Sequence, residues 1–379
     1  MKVLVTNSSR NTGLAIMRAL DATGWEVHGA DDRTPPFGLH SRSAAARYAL
    51  LPTADAVGFG DALLELLRVI RPQVLIPTRG VEVACRRAAE ISAISANLLP
   101  SVKAFETLND KRRLLDLCNR HGVGVPLRFE VQEAVQLLTT GRIREVVAKP
   151  CRDVGGGEDV HFIGVADDLA AVSAGIVARH GAALVTEVIP GPTSALRGLH
   201  LLFDARSRLI SFFVQQKTRI WPPRRGVTAA ASSTHEVALV EMLLPMFQEL
   251  EWRGPADVDL KIDARDGRPR VIEINPRFSG ALNFPIACGV NMPDLLCRAS
   301  LGEVLPEARQ PAYAAGRRYV DTGRWLKSVW TQRAEPGNLH GARAELAGRV
   351  PPVWRGDTRA QLGKMLMSVP GLARRYRND

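Results

Sequence analysis

Short apolar runs and amphipathic segments alternate along the N-terminal quarter of the chain. Residues 2–6 form an apolar run typical of a buried strand, residues 14–23 carry apolar positions at helical spacing, and residues 25–30 predict a second strand. A further helix, strand and helix are predicted for residues 61–70, 72–78 and 82–92. This order predicts a Rossmann-like domain with a parallel sheet and right-handed connections.

The loop after the first predicted strand bears on whether this domain binds a dinucleotide. Such a site needs a Gly-x-Gly-x-x-Gly loop, so that the backbone can approach a pyrophosphate. Of these glycines only Gly13 is present. A nicotinamide-dependent oxidoreductase is therefore an alternative that the missing glycines argue against, and a Rossmann-like domain without a dinucleotide is favoured.

The middle of the chain mixes helices with shorter strand patterns. Asp110 is a candidate N-cap for a helix that runs to His121, and Gly122 follows as a stop signal. Strands are predicted at 146–150, 199–203 and 209–216, residues 183–192 predict a strand that breaks at a turn, and one helix is predicted at 236–250. The predicted fold class is α/β followed by α+β.

The stretch 257–280 concentrates the candidate chemistry. Two alternating apolar segments flank a turn at Asp266-Gly267, which predicts a β-hairpin. Pairing across the turn can bring Asp259 beside Glu273, and alternation puts Asn275 on the same face as Glu273. Oxygen ligands of this kind suit Mg²⁺, with Mn²⁺ as a substitute, when phosphate and water complete the shell.

An ordinary hairpin with a solvated acidic face is the alternative for these residues. It is disfavoured because carboxylates within a run as apolar as Val-Ile-Glu-Ile-Asn-Pro are costly unless their charge is paired. Arg277 follows two residues after Asn275, and its guanidinium can hold a phosphate or carboxylate through two hydrogen bonds.

Two basic stretches suggest phosphate contacts. Lys149 ends an apolar strand and is soon followed by Gly155, Gly156 and Gly157, whose amide groups could close over phosphate oxygens. This glycine segment is not a Walker A loop, because no Gly-Lys-Ser/Thr follows it, and a plain glycine-rich hairpin is the alternative. Lys217 and Arg219 are expected on one face of a strand, where they would neutralise a phosphate or form only a basic strand end.

Composition narrows the class of protein. A chain of 379 residues with 46% hydrophobic and 23% charged residues is long enough for two or three globular domains. It contains no apolar run near the ~20 residues of a membrane span and no signal-peptide pattern, so a cytoplasmic protein is expected. Five cysteines without a Cys-x-x-Cys pair predict buried thiols, with neither zinc site nor disulfide framework.

The net charge of +11 raises the question of nucleic acid. The excess comes from scattered arginines without a zinc-finger, RRM or leucine-zipper pattern, so specific nucleic-acid binding is not expected. An anionic small substrate such as a nucleotide accounts for part of the charge.

The sequence Glu273-Ile274-Asn275-Pro276-Arg277, with Asp259 fourteen positions before its glutamate, resembles the ATP-grasp superfamily. The branch it resembles contains the carboxylate–amine ligases related to carbamoyl-phosphate synthase and the pyrrolysine-pathway ligase. The Asp110-Lys111 helix with its following Gly-Val-x-Val-Pro, and Lys149-Pro150 before three glycines, occur in the order of that family. The resemblance covers roughly residues 1–305.

The resemblance implies a role for each motif. Metal binding is implied for Asp259, Glu273 and Asn275. Nucleotide contact is implied for Lys111, Lys149, Gly155, Gly156, Gly157, Glu187, Val188, Ile189 and, with the alternation above, Arg219. The reaction itself would involve Arg277, Lys217, Ser279 and Gly280, and acceptor contacts would come from Thr78, Arg79 and Glu82. Thr193 stands where relatives usually have a glutamate for the ribose hydroxyls, which puts that contact in doubt.

The implied architecture is a Rossmann-like domain at 1–105, an ATP-grasp subdomain with a glycine lid at 106–186, and a catalytic subdomain at 187–310. A basic extension occupies 311–379 and carries apolar residues at helical spacing between 350 and 376. A helix that covers part of the core is favoured there over membrane-surface or partner docking.

The implied function is an ATP-dependent ligase that uses Mg²⁺. It would activate a carboxylate as an acyl phosphate and join it to an amine, with an amino acid or short peptide as substrate and a homodimer as the assembly. The alternative is a nucleotide-binding regulatory or docking protein that has the same fold but catalyses no reaction. Thr193 and the basic C-terminal extension favour this alternative.

Overall fold

The computed structural model describes residues 1–32, 41–53, 55–152, 157–335, 337–351 and 357. Its strands form two four-stranded sheets and one six-stranded sheet. The fold is mixed α/β and α+β, as the sequence predicts.

A parallel sheet forms the N-terminal part, with strand order β3-β2-β1-β4. This confirms the predicted Rossmann-like start, although the second helix begins five residues earlier than expected and the predicted helix at 82–92 is two helices. The elements are β1 (Lys2–Thr6), α1 (Asn11–Asp21), β2 (Glu26–Asp31), β3 (Ala46–Ala49), α2 (Ala56–Ile70), β4 (Val74–Ile76), α3 (Val81–Arg86), α4 (Ala88–Ser92) and α5 (Val102–Asn109).

An antiparallel sheet with strand order β5-β8-β6-β7 follows. Asp110 caps the first helix of this region by accepting hydrogen bonds from the backbone N–H groups of Arg112 and Arg113, as predicted. The elements are α6 (Lys111–Arg120), β5 (Arg128–Phe129), α7 (Val131–Thr139), β6 (Val146–Pro150), β7 (His161–Ile163), α8 (Ala166–His180) and β8 (Ala183–Glu187).

The third sheet has strand order β13-β12-β9-β10-β11-β14, and each pair of neighbours is antiparallel. The helix predicted at 236–250 is divided in two. After a 3-10 helix at Thr193–Ala195, the elements are β9 (Leu196–Phe203), β10 (Leu209–Trp221), β11 (Val227–Thr234), α9 (Val237–Glu241), α10 (Leu244–Glu249), β12 (Gly254–Ile262), β13 (Pro269–Asn275), α11 (Asn283–Ala287) and α12 (Met292–Ser300).

The segment after residue 311 completes that sheet. It contributes β14 (Arg318–Val320), α13 (Thr322–Thr331) and α14 (Asn338–Leu346), and β14 pairs with β11. Of the basic stretch at 350–376, only residues 350, 351 and 357 are described, so its predicted helix lies outside the described residues. No helix in the described part of the chain is long and apolar enough to span a membrane.

Successive side chains along each strand of the six-stranded sheet point to opposite faces, and each face packs in its own hydrophobic cluster. Leu199, Leu201 and Phe203 of β9 pack with Phe247 and Trp252. Leu202 and Phe213 face the other way, toward a cluster that includes α1 of the N-terminal domain and α11 and α12. The N-terminal domain is thereby held against one face of this sheet. The five cysteines are free, and four of them are buried.

Candidate active site

A cavity of about 2080 Å³ lies where the three sheets meet. Its walls come from the loops after β1 and β4, from β6 and β8, and from β10, β12 and β13. This volume exceeds the 300–1,000 Å³ typical of small-ligand pockets, so the cavity has room for a nucleotide together with further substrates.

The β12–β13 hairpin supplies the acidic wall. Asp259 pairs with Glu273 and Asp257 pairs with Asn275, which confirms the predicted neighbourhood of Asp259 and Glu273. Asn275 Nδ2 donates to Glu273 Oε1 at 3.2 Å, and Arg277 Nη2 donates to Asn275 Oδ1 at 3.2 Å. The side chains predicted to share one face therefore form one connected group.

Three buried lysines face this group from different elements, each less than 10% exposed. Lys111 begins α6 and places its Nζ 3.3 Å from Glu273 Oε2, and Lys217 of β10 places its Nζ 2.5 Å from Asp259 Oδ1. Lys149 lies on β6 in the same cavity wall. The Lys111 backbone N–H donates to the Cys151 carbonyl at 2.7 Å, which fixes the start of α6 at the end of β6.

Two effects set the pKa values in this site: burial, which disfavours the charged form of each group, and the charges of the neighbouring groups. Burial raises the pKa of Asp257 and Asp259 to about 6, since desolvation outweighs the attraction of Lys217. Burial alone would also raise the pKa of Glu273, but Lys111 and Lys149 hold it below its ordinary value. Burial and then the repulsion of Lys111 lower the pKa of Lys149 to about 8. Burial alone would lower the pKa of Lys217, but the carboxylates of Asp259, Asp257 and Glu273 together raise it.

The glycine loop is described only in part, because Gly155 and Gly156 lie outside the described residues. Gly157 lines the cavity at φ +73°, and a Cβ at this position would lie 1.9 Å from the Arg225 carbonyl oxygen. The turn between β10 and β11 therefore touches this loop directly. Arg225 Nη1 also donates to the Val160 carbonyl at 2.8 Å.

The segment 187–189, implied as an adenine hinge, also lines the cavity. The Glu187 carboxylate is already engaged, since it accepts from the Leu127 N–H at 3.0 Å and from Arg265 Nη1 at 2.6 Å. Lys261 Nζ donates to the Ile189 carbonyl at 2.9 Å. Val188 lines the cavity between these two residues, which are held in place, and Thr193 lines it as well.

Arg219 is not on the cavity face, contrary to the expected alternation with Lys217. A β-bulge places Lys217 opposite Ala231 but Arg219 opposite Ala230, which turns Arg219 to the other side of the sheet. There Arg219 Nε donates to Glu345 Oε2 at 2.9 Å and Arg219 Nη1 to Asn338 Oδ1 at 2.6 Å. Arg219 therefore anchors the C-terminal helices rather than a nucleotide.

The remaining predicted residues lie in the cavity wall. Ser279 and Gly280 follow the hairpin, and Thr78, Arg79 and Glu82 come from the loop after β4 and the start of α3. The Glu82 carboxylate accepts from Arg86 at 2.9 Å.

The donor set fits a magnesium ion that phosphate oxygens help to coordinate. Within the described ranges, no three His, Cys, Asp or Glu side chains come close enough together to hold a metal ion by themselves. Two carboxylates and one amide oxygen converge instead, and Mg²⁺ commonly takes one or two protein carboxylates with phosphate and water. Asp259, Glu273 and Asn275 are therefore suited to hold the metal of a nucleotide complex.

Sequence reasoning missed several side chains of this cavity. Asp257 shares the face of Asp259, and the period-two alternation could have found it. Lys261 lies on the same alternation but was assigned no role. Arg324 of α13 also lines the cavity, and no local signal identifies it because its position depends on how β14 joins the sheet.

Comparison with known proteins agrees with this geometry. The family model described as ATP-grasp in the biosynthetic pathway with Ter operon matches residues 214–322. No curated protein matches the sequence. Among solved structures, the biotin carboxylase domain dimer of Hydrogenobacter thermophilus 2-oxoglutarate carboxylase, in complex with MgADP, ADP and bicarbonate, is similar with a TM-score of 0.65 and 16% identity, over 84% of this chain and 73% of that chain.

Two further solved structures share the fold. The L-amino acid ligase from Bacillus licheniformis has a TM-score of 0.58 and 16% identity, over 80% of this chain and 75% of that chain. The N5-carboxyaminoimidazole ribonucleotide synthetase from Thermotoga maritima has a TM-score of 0.55 and 17% identity, over 81% and 77%. The chain therefore has the ATP-grasp fold and matches an ATP-grasp family model over part of its six-stranded sheet, which confirms the resemblance drawn from its motifs.

Proposed function

We propose that this protein is an ATP-dependent ligase that activates a carboxylate as an acyl phosphate and joins it to an amine, releasing ADP and phosphate. The observation that carries the proposal is the convergence of three buried lysines and the acidic β12–β13 hairpin in one wall of a cavity large enough for a nucleotide and two substrates. Solved structures of the same fold include an amino acid ligase and a biotin carboxylase with bound MgADP.

Asp259, Glu273 and Asn275 would hold Mg²⁺ with the phosphates, and Asp257 extends the same acidic face. The metal, with Mn²⁺ as a substitute, would supply a Lewis acid that neutralises charge on the transferring phosphoryl group. The adenine would lie along the main chain of residues 187–189.

Without nucleotide, the lysines serve as counterions for the hairpin. Lys111 is paired with Glu273 and Lys217 with Asp259, so the two carboxylates are already balanced. If Asp259 and Glu273 held a metal, its charge would balance theirs. Lys111 and Lys217, together with Lys149, would then be available to bind phosphate oxygens.

The second step forms the amide bond. The amine attacks the acyl carbon and the carbonyl oxygen becomes an oxyanion. When the carbonyl reforms, the bond to phosphate breaks, and phosphate leaves with the proton that the amine nitrogen gives up. Arg277 and the amide groups near Ser279 and Gly280 are placed beside the acidic hairpin and would stabilise that oxyanion. The loop that contains Gly157 would exclude water, because an acyl phosphate hydrolyses readily.

The test measures ADP and phosphate release from ATP and Mg²⁺ with amino acids and short peptides, singly and in pairs, and identifies products by mass spectrometry. We expect release that needs two partners and a product mass equal to their sum minus water. Glu273→Gln should lower turnover at least about 100-fold, since it removes a charged ligand of the metal–phosphate complex. Glu303→Gln is the matched control, because its carboxylate is exposed and pairs with Arg298 at the surface.

Two results would contradict this proposal. Substantial turnover by Glu273→Gln would remove the metal assignment. Tight ATP binding without stimulated release across the panel would favour the alternative, a nucleotide-binding regulatory or docking protein.

A further inference from the structure

Helices α13 and α14 pack against the six-stranded sheet with their inner sides. Trp325 and Ser328 of α13 are buried, and Trp325 shares a small apolar cluster with Ala230 of β11 and Ala342 of α14. The Trp325 Nε1 group donates to Glu345 Oε2 at 2.7 Å, which ties the two helices to each other. Their outer sides therefore form a surface whose position is fixed by the sheet.

The outer side of α13 carries large apolar side chains at helical spacing. Leu326 is 54% exposed and Trp330 is 69% exposed, and their separation of four residues places them on the same face of the helix. Among the described residues, no other aromatic side chain is exposed to this degree. The Arg333 guanidinium lies 4.7 Å from the centre of the Trp330 ring and donates to the Trp330 carbonyl at 2.9 Å, so a cation is held against this ring.

Helix α14 continues this apolar surface. Leu339 is 61% exposed, and Asn338 before it donates from Nδ2 to the Val329 carbonyl at 3.1 Å. Leu339 and Trp330 therefore both adjoin a direct contact between the two helices. A single exposed apolar residue needs no explanation, but several of them concentrated within residues 326–346 indicate an interaction surface.

The same surface is basic. Lys327, Arg333 and Arg343 are exposed, whereas Glu335 is the only exposed acidic residue that the structure describes between positions 322 and 351. The other carboxylate of this stretch, Glu345, is buried and paired with Arg219. Apolar groups and positive charge thus share one surface, here called the α13–α14 face and defined by Leu326, Lys327, Trp330, Arg333, Leu339 and Arg343.

The charge of the α13–α14 face selects among its possible occupants. A second copy of the chain would set this basic face against itself, and like charges in contact are unfavourable. The chain's own residues 358–379 contain five lysines and arginines and one acidic residue, so they carry the same sign. An anionic occupant is complementary. A tryptophan among leucines, lysines and arginines suits a lipid surface in particular, because the ring lies at the headgroup level while the cations contact lipid phosphates.

We propose that the α13–α14 face docks on a membrane surface that contains anionic lipids. Trp330 and the two leucines enter the boundary between headgroups and acyl chains, and the three basic side chains contact lipid phosphates. Arg324 of the same helix lines the cavity, and the helical period places Leu326 on nearly the opposite side of α13. The face and the cavity therefore lie on different sides of this helix, and the docking surface can be tested independently of the proposed ligase function.

The test sediments the full-length protein with vesicles of phosphatidylcholine alone and of phosphatidylcholine with phosphatidylglycerol. We expect binding at least about tenfold tighter to the anionic vesicles, and weaker binding at high salt because the charges are screened. Trp330→Ser should weaken binding roughly tenfold, and Lys327→Gln and Arg343→Gln about fivefold each. Val304→Ser and Arg309→Gln are the matched apolar and basic controls, since both side chains are more than 70% exposed and lie outside the face.

Weaker binding by the three face variants, with both controls at the wild-type level and all melting temperatures unchanged, supports the proposal. Equal binding to the two kinds of vesicle, or binding to neither, overturns it. Unchanged binding by Trp330→Ser, Lys327→Gln and Arg343→Gln also overturns it, because another part of the chain then carries the affinity. If soluble poly-glutamate binds the protein more tightly than the anionic vesicles do, the face belongs to an acidic polypeptide and the lipid assignment is wrong.

Discussion

Lys149 lies at the end of β6 with its ammonium group enclosed by the protein. Its side chain belongs to the buried wall of the cavity, where burial disfavours the charged form and the ammonium of Lys111 repels it. The pKa of Lys149 is therefore lowered to about 8, and a bound phosphate would favour the charged form again.

ATP binding should therefore be linked to proton uptake. The pKa of Lys149 is lowered to about 8, so the free protein loses this proton as the pH rises through that value, and the phosphates of ATP raise the pKa again. We expect uptake to rise from near zero at about pH 7 toward one proton per ATP at about pH 9. Calorimetry in buffers of different ionisation enthalpy measures it.

Lys149→Arg is the control for that experiment, because arginine remains charged over this range and should show no uptake. Equal proton uptake by the variant would assign the titration to another group. Folding, unlike ATP binding, is linked to proton release from Lys149, because the unfolded lysine keeps its proton to a higher pH than the folded one. The contribution of Lys149 to stability therefore rises as the pH increases above about 8.

Period-two alternation correctly predicted side chains where the strands are regular. It placed Asp259 beside Glu273 and Asn275 on the face of Glu273, and it would have included Asp257. The same rule failed at Arg219, because a bulge between Lys217 and Arg219 reverses the face. A bulge inserts one extra residue into a strand and leaves no clear signal in the local sequence. The direction of Arg219 is therefore evident only from the pairing with the neighbouring strand.

The turn between β10 and β11 acts as a contact surface for the loop that contains Gly157. Arg224 forms a two-point ion pair with Glu145 and lies 4.0 Å above the ring of Phe162, while Arg225 donates to the Val160 carbonyl. These contacts join the β5-β8-β6-β7 sheet to the six-stranded sheet across the cavity. Gly157 lies beside the same turn, against the Arg225 carbonyl oxygen.

Gly157→Ala should interfere with this closed arrangement. The added Cβ would lie 1.9 Å from the Arg225 carbonyl oxygen, so the turn and the loop must separate. We expect kcat/KM for ATP to fall roughly tenfold, since overpacking of this kind costs about 1–3 kcal/mol. Steady-state kinetics at varied ATP measures the effect.

Gly141→Ala supplies the matched control. Gly141 has φ +68°, close to the +73° of Gly157, and a Cβ there meets nothing within 4 Å. Both variants carry the same backbone strain, about 1–2 kcal/mol for a left-handed residue. Equal kinetic losses in the two variants would show that the contact with Arg225 has no role.

Helix existence was predictable from apolar spacing, but helix continuity was not. Residues 236–250 have the pattern of one amphipathic helix, and the structure divides them into α9 and α10. Pro245 stands at the start of α10 and lacks the N–H that a continuous helix would need. Apolar periodicity continues through such a break, because both short helices turn the same face to the core.

The C-terminal segment contacts both the six-stranded sheet and the N-terminal domain. β14 extends the six-stranded sheet, and Glu345 of α14 accepts from Arg219 Nε and from Trp325 Nε1 at 2.7 Å. Farther along, Asp357 returns to the N-terminal domain, where it accepts from Arg18 Nε at 2.8 Å and from the Ser41 hydroxyl at 2.6 Å. A buried ion pair therefore joins the C-terminal segment to the N-terminal domain.

Asp357→Asn should destabilise the protein by about 3 to 5 kcal/mol, because it leaves the Arg18 guanidinium buried without its counterion. Urea unfolding of the full chain measures the loss. The double variant Arg18→Met with Asp357→Leu removes both charges and should lose less than the single variant. A single variant with unchanged unfolding midpoint would show that the pair does not close the molecule.

The sequence by itself determined the local elements and the chemistry that belongs to single strands and helices. The strand–helix order of the N-terminal domain, the cap at Asp110 and the acidic face of the hairpin depend on contacts between residues close along the chain, and all are present. Tertiary structure alone decided which way Arg219 points, that Arg324 reaches the cavity and that Asp357 meets Arg18. These contacts join residues more than a hundred positions apart, or depend on the register of a neighbouring strand, and no local pattern along the chain carries that information.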